Sequence, residues 1–128
     1  DELLSPSVIY APAALELQRS VEVHALVHVT GGGIPGNLAR VLPDKAGAVV
    51  DTTAWEPPRV FGELQRLGEV SDDEMARVFN LGIGMIAVVP PDAAYKAIDV
   101  LRSSGHRAVE IGRVTEGAGE VRLTEGDA

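Results

Sequence analysis

Three consecutive glycines, Gly31-Gly32-Gly33, are framed by His28 and Thr30 on one side and by Gly36, Asn37 and Arg40 on the other. Glycines lack Cβ, so a run of them lets backbone N–H groups approach a bound group closely and take positive φ. The apolar stretch before the run, Val23 to Val29, reads as a strand, and Leu38 to Leu42 after it reads as a short helix. Pro35 suits the first turn of that helix, where its missing N–H costs nothing. A helix start adds unpaired N–H donors and the positive end of a dipole. The chemistry predicted is binding of an anion or phosphate by Thr30, Gly31, Gly32, Gly33 and Asn37. Arg40 either supplies charge to that cradle or faces solvent. A glycine-rich connection that only turns a strand into a helix is the plainer alternative.

Period two along the strand places His24, Leu26, His28 and Thr30 on one face and Val23, Ala25, Val27 and Val29 on the other. His28 thus comes to the edge of the glycine run on the side of Thr30. A neutral imidazole there is a proton acceptor near neutral pH, or else a brace for the loop. His24, deeper in the strand, reads as structural, and His106, just after Gly105, as a surface residue. Two histidines four residues apart on a strand lie roughly 13 Å from each other, too far to share a metal, so no metal site is predicted. A second glycine-spaced turn, Asn80-Leu81-Gly82-Ile83-Gly84-Met85, enters another apolar run. Its Asn80, Gly82 and Gly84 are candidates for polar-ligand contact, or for a helix-to-strand connection needing positive φ. Met85 reads as core. Trp55 reads as packing beneath Pro57-Pro58, with stacking on a ligand ring as the alternative.

Gly31-x-Gly33-x-x-Gly36 also satisfies the dinucleotide-binding spacing, with Asp51 ending the next apolar run twenty residues after Gly31. Three details oppose that reading. Pro43 cuts the helix after about two turns, Trp55-Glu56-Pro57-Pro58 replaces the next strand and helix, and the chain is short for two mononucleotide-binding halves. No Lys-Ser or Lys-Thr follows the last glycine, which excludes a P-loop.

The elements that must position these residues alternate along the chain. Leu3 to Tyr10 is an entry segment, and Pro12 opens a helix through about Arg19. A strand over Val23–Thr30, the glycine run and its helix, and a strand over Ala46–Asp51 follow. Pro57-Pro58 starts a helix ended by Gly68, with Val60, Phe61, Leu64 and Leu67 on one side. Ser71-Asp72-Asp73-Glu74 has the capping-box pattern and predicts a helix through about Phe79. A strand over Gly84–Val89 leads into a helix from Pro90-Pro91-Asp92 to about Ser104, with Ala94, Ala97, Ile98 and Leu101 inward. Ala108 to Val114 and Glu120 to Leu123 are closing strands. The pattern alone defines a mixed α/β domain.

At 128 residues with 45% hydrophobic content, the chain suits one compact domain with a real core, residues 1–128 without an internal linker. It contains no cysteine, so disulfides and thiolate metal sites are excluded. No apolar run reaches the ~18 residues of a membrane helix, and nothing at the start has the pattern of a signal peptide. The net charge of −8 and scattered basic residues disfavour nucleic acid as a partner.

Several separated blocks together resemble the C-terminal domain of the aminoimidazole ribonucleotide synthetases, or phosphoribosylformylglycinamidine cyclo-ligases. They are Leu3-Leu4-Ser5-Pro6-Ser7-Val8-Ile9-Tyr10, Val23 through Gly33, and Asn37-Leu38-Ala39-Arg40-Val41-Leu42-Pro43. Trp55 with Pro58 and Phe61, Gly68-Glu69-Val70 with Glu74-Met75, Phe79 through Met85, and Ile111-Gly112-Arg113-Val114 continue the match over essentially the whole chain. The resemblance implies a three-layer α/β/α domain with a mixed sheet, partly ferredoxin-like. It implies a ligase of purine biosynthesis that uses ATP and Mg2+ to cyclise formylglycinamidine ribonucleotide, a small-molecule substrate, in a cytoplasmic homodimer. It further implies an N-terminal ATP-binding domain absent from this chain, which should carry most of the ATP and Mg2+ contacts and leave the fragment inactive alone. His28 is then the candidate catalytic base. Where the family usually has a basic residue and a lysine in the entry segment, this chain has Val8 and Pro12. Ser7 keeps a hydroxyl there as a candidate phosphate contact. The rival classes are a dinucleotide-binding fragment of an oxidoreductase and a non-catalytic module on the same fold.

Overall fold

A computed structural model describes residues 2–126 and contains five helices of at least seven residues and five strands among them. In chain order these are α1 (Ala11–Ser20), β1 (Ala25–His28), α2 (Gly33–Ala39), β2 (Ala46–Asp51), α3 (Arg59–Gly68), α4 (Asp72–Val78), β3 (Met85–Val88), α5 (Ala94–Ser103), β4 (Gly112–Glu116) and β5 (Val121–Thr124). The strands form two sheets. β1 and β3 pair antiparallel, with His28 opposite Met85. β2 is the centre of the other sheet, antiparallel to β4 and parallel to β5, which makes that sheet mixed.

One apolar core joins the two sheets. Val27 and Val29 from β1 and its extension, Ile86 from β3, Ile34 and Leu38 from α2, and Ala48 and Val50 from β2 are all buried in one cluster. The alternation expected for the first strand is observed: Val27 and Val29 are buried, while His24, His28 and Thr30 are exposed. On the opposite face of the β1–β3 pair, Leu26 and Ala87 look toward Ala13 and Leu17 of α1 and Leu101 of α5, and these two helices pack on each other.

Four elements depart from the sequence expectation, each for a physical reason. β1 is shorter than Val23–Thr30 as a ladder, yet His24 N–H still donates to Val88 O (2.8 Å) and Val29 N–H to Gly84 O (2.9 Å). α2 begins inside the glycine run, at Gly33, instead of at Leu38. β4 begins at Gly112, later than Ala108: the Arg102 guanidinium of α5 donates twice to Ala108 O (3.1 and 2.9 Å), and Ile111 O accepts from Asp51 N–H (2.7 Å) just before the ladder. On α3, the apolar side does not close against the core, and Leu67 is 70% exposed. Phe61 instead meets Phe79 edge-on at 5.8 Å. The capping box is half formed. Ser71 Oγ accepts from Glu74 N–H (3.3 Å), while the Glu74 carboxylate turns to the Arg77 guanidinium, which holds it below the usual carboxylate range.

Asp51 ends β2 and caps the turn after it. Its Oδ1 accepts from Thr53 N–H (2.8 Å), the Thr53 hydroxyl (2.6 Å) and Gly126 N–H (2.9 Å). The Thr53 hydroxyl first, and then the two backbone N–H groups, hold its carboxyl below the usual range. A depressed carboxyl stabilises the fold above its unfolded pKa, and that contribution is lost as pH falls through the folded value. Asp51→Asn should therefore lower the melting temperature at pH 7, and the gap to the parent should close as pH falls below about 4. Melting curves across pH 2–7 that run parallel for both proteins would show that the cap is energetically silent.

Candidate functional site

The antiparallel pairing of β1 with β3 brings the two glycine turns to the same end of the small sheet, although about fifty residues of chain separate them. Val29, at the mouth of the first turn, donates to Gly84 O in the second (2.9 Å), so the turns are hydrogen-bonded neighbours. His28 stands at this junction, exposed, on the same side of the strand as Thr30.

Asn37 holds the first turn in shape. It is buried (4% exposed), and its Nδ2 lies 2.8 Å from Gly33 O and 3.3 Å from both Thr30 O and Gly31 O. Carbonyl oxygens accept from the amide nitrogen alone, so the donor half of this side chain is committed to the loop and not free for a ligand. Gly32 takes φ +101° and Gly33 φ +61°, the left-handed region that favours glycine. A methyl on Gly33 would coincide with Ala76 O, near the end of α4, and press on Phe79 O at 3.1 Å. Gly31 is open, and the N–H groups of Gly31 and Gly32 have no acceptor among the described residues. Two adjacent backbone donors on an exposed turn suit an anionic ligand.

Two cations lie near this turn. Arg40 is exposed at the far end of α2, about 10 Å along the helix axis from Gly33, which agrees with the solvent-facing alternative. Arg77 lines the shallow depression beside Gly32 and Gly36, where its guanidinium pairs with both oxygens of Glu74 (2.8 and 2.5 Å) and Asp73 shares the same depression. Ser7 lies in the exposed entry segment, and its hydroxyl has no hydrogen-bond partner among the described residues.

The second turn is closed on itself and strained. Asn80 Oδ1 accepts from Gly82 N–H (3.0 Å), closing the turn on itself. Leu81 takes φ +50°, uncommon for a branched side chain, and its carbonyl accepts from the Trp55 indole N–H (2.9 Å). Gly82 (φ +96°) abuts the Pro58 ring. Trp55 packs against the apolar core and braces the turn. Met85, at the start of β3, is half-buried.

Two of the histidine readings change. His24 is exposed and pairs with Glu22 (3.1 Å), so it is a surface group and not a structural one. His106 is half-buried, stacked on Tyr10 with ring centroids 5.5 Å apart. Tyr10 in turn meets His28 edge-on at 6.2 Å. Sequence spacing gave no signal for this cluster, because its members come from three elements far apart in the chain.

The topology removes the dinucleotide alternative. That motif needs the strand before the glycine turn to lie parallel and adjacent to the next one, but β1 pairs antiparallel with β3 and β2 belongs to the other sheet. The carboxylate that would bind ribose, Asp51, caps its own turn. What remains defines a mixed α/β domain with a backbone-built turn that suits an anion and a histidine beside it.

The chain belongs to the family described as AIR synthase related protein, C-terminal domain, whose model matches residues 1–124. It is 43% identical over 126 residues to the phosphoribosylformylglycinamidine cyclo-ligase of Magnetococcus marinus, covering 98% of this chain. The match spans 34% of that protein's length, so the chain corresponds to about a third of its curated relative.

Proposed function

We propose that this chain is the C-terminal part of an ATP-dependent cyclo-ligase that closes formylglycinamidine ribonucleotide to aminoimidazole ribonucleotide in purine synthesis. The observation that carries this reading is the meeting of the two glycine turns at His28, in a chain so similar to a relative bearing the cyclo-ligase name. In this reaction the formyl oxygen takes the γ-phosphoryl group of ATP, ADP leaves, and a weak leaving group becomes a good one. The amidine nitrogen attacks the activated carbon, gives up a proton, and phosphate departs as the ring closes. Gly31 and Gly32 N–H receive an anionic group of the substrate or the transferred phosphoryl group, with Thr30 beside them. His28 takes the amidine proton. Asn37 and Asn80 keep the two turns in shape, a positioning task in which small misplacements are costly.

Among the described residues no three His, Asp or Glu side chains converge as a metal cage. In this reading the intact enzyme is a cytoplasmic homodimer, and ATP and Mg2+ are held mainly by an upstream domain. The test is reconstitution. The 128-residue chain alone should neither hydrolyse ATP nor release aminoimidazole ribonucleotide, whereas the polypeptide extended to the length of its relative should do both. Turnover by the chain alone at the rate of the extended protein would refute this division of labour.

A further inference from the structure

The geometry points to Tyr10 as a positioning residue for His28, an inference that rests on the proposed proton-accepting role of that histidine. His28 is exposed, and its ring makes no hydrogen bond among the described residues. Such a side chain is free to change χ1 and χ2 unless something blocks the swing. The neighbouring ring recorded against it is Tyr10, met edge-on at 6.2 Å with 62° between the planes, a favoured arrangement for aromatic pairs.

Tyr10 is itself fixed from three directions. Its carbonyl accepts from Ala14 N–H (2.9 Å), which ties its backbone to the first turn of α1. The phenol fills the space that a side chain on Gly84 would occupy, since a methyl there would coincide with Oη and stand 2.9 Å from Cζ. Its face stacks on His106 at 5.5 Å and 26°. His106 is held in turn where α5 stops, its N–H donating to Leu101 O (3.1 Å) just after Gly105 at φ +90°. A column of three rings, His28, Tyr10 and His106, thus connects the end of β1 to the start of α1 and the end of α5. Gly84 belongs to this device because it admits the phenol. The Tyr10 hydroxyl has no partner among the described residues, so the ring, and not the oxygen, does the positioning.

The experiment uses the extended, active polypeptide and measures kcat and KM separately. Tyr10→Phe should keep kcat within about twofold, because the ring remains. Tyr10→Leu should lower kcat on the order of ten- to a hundredfold with little change in KM, the size expected when a reacting group is misplaced. Gly84→Ala should show the same loss by displacing the ring, and the double variant Tyr10→Leu/Gly84→Ala should be no worse than Tyr10→Leu. In a His28→Ala background, Tyr10→Leu should cost nothing more. A second readout is independent of turnover: the χ1-dependent couplings of His28 in histidine-labelled protein should show one rotamer in the parent and in Tyr10→Phe and rotamer averaging in Tyr10→Leu. A single unchanged His28 rotamer in Tyr10→Leu, or an equal further loss in the His28→Ala background, would overturn the positioning role. Full activity of His28→Ala would instead remove the proton-accepting role itself, which separates the two failures.

Discussion

Gly33→Ala should cost about 2–4 kcal/mol of stability, combining overpacking with a left-handed φ that alanine resists. The methyl would land on Ala76 O and crowd Phe79 O, both backbone atoms at the end of α4 that cannot rotate away. For a domain of this size that corresponds to a fall in Tm on the order of 10 °C. Gly32→Ala is the control. Its methyl would meet Asn37 Nδ2 at 3.6 Å and Gly36 Cα at 3.9 Å, both ordinary contacts, so its penalty is limited to the positive φ, about 1–2 kcal/mol. Thermal melts of the two variants side by side decide the matter. If Gly32→Ala proves as damaging as Gly33→Ala, contact with α4 is not what fixes the turn.

His28→Ala, in the extended polypeptide, should lower turnover by roughly 10²–10⁴-fold, the usual contribution of a general base. Its melting temperature should stay near the parent's, because the ring is exposed and makes no hydrogen bond among the described residues. His28→Asn keeps a polar side chain that cannot titrate in this range. If Asn restores most of the rate, His28 orients substrate or loop and transfers no proton. If both variants fail alike and the pH–rate profile loses a limb, proton transfer stands. His24→Asn, at an exposed pair with Glu22, should change neither rate nor stability by more than about 0.5 kcal/mol.

Much of this architecture is legible in residue order. Alternation from Val23 to Thr30 sorts buried valines from exposed histidines correctly, because a half-buried strand imposes period two. The Ala46–Asp51 strand has the bounds expected of it, since an apolar run between turn signals leaves the chain little choice. Where local patterns fail, a long-range contact has decided. α2 starts at Gly33 because the Asn37 amide gathers the loop carbonyls, an interaction that a list of glycines does not reveal. Before β4, Ala108 O is taken by the Arg102 side chain, a contact that the apolar run does not announce. α3 carries a well-formed apolar stripe, yet Leu64 and Leu67 remain exposed, since amphipathicity states which side is apolar and not whether anything covers it. For the candidate site, both turns are readable, but their adjacency is not. Adjacency depends on β1 pairing with β3, and the three-ring column depends on that pairing as well.

The sole tryptophan gives this molecule an optical probe at a useful place. Trp55 donates its indole N–H to the carbonyl of Leu81, the residue whose backbone is held left-handed in the second turn. Indole emission depends on that hydrogen bond and on water near the ring, so its wavelength reports whether the turn keeps its shape. No label is required, and no second tryptophan dilutes the signal from this chain. Titrating the chain with inorganic phosphate, or with a separately produced upstream domain, therefore yields a spectrum sensitive to the second turn and to the edge of the core against which the indole packs.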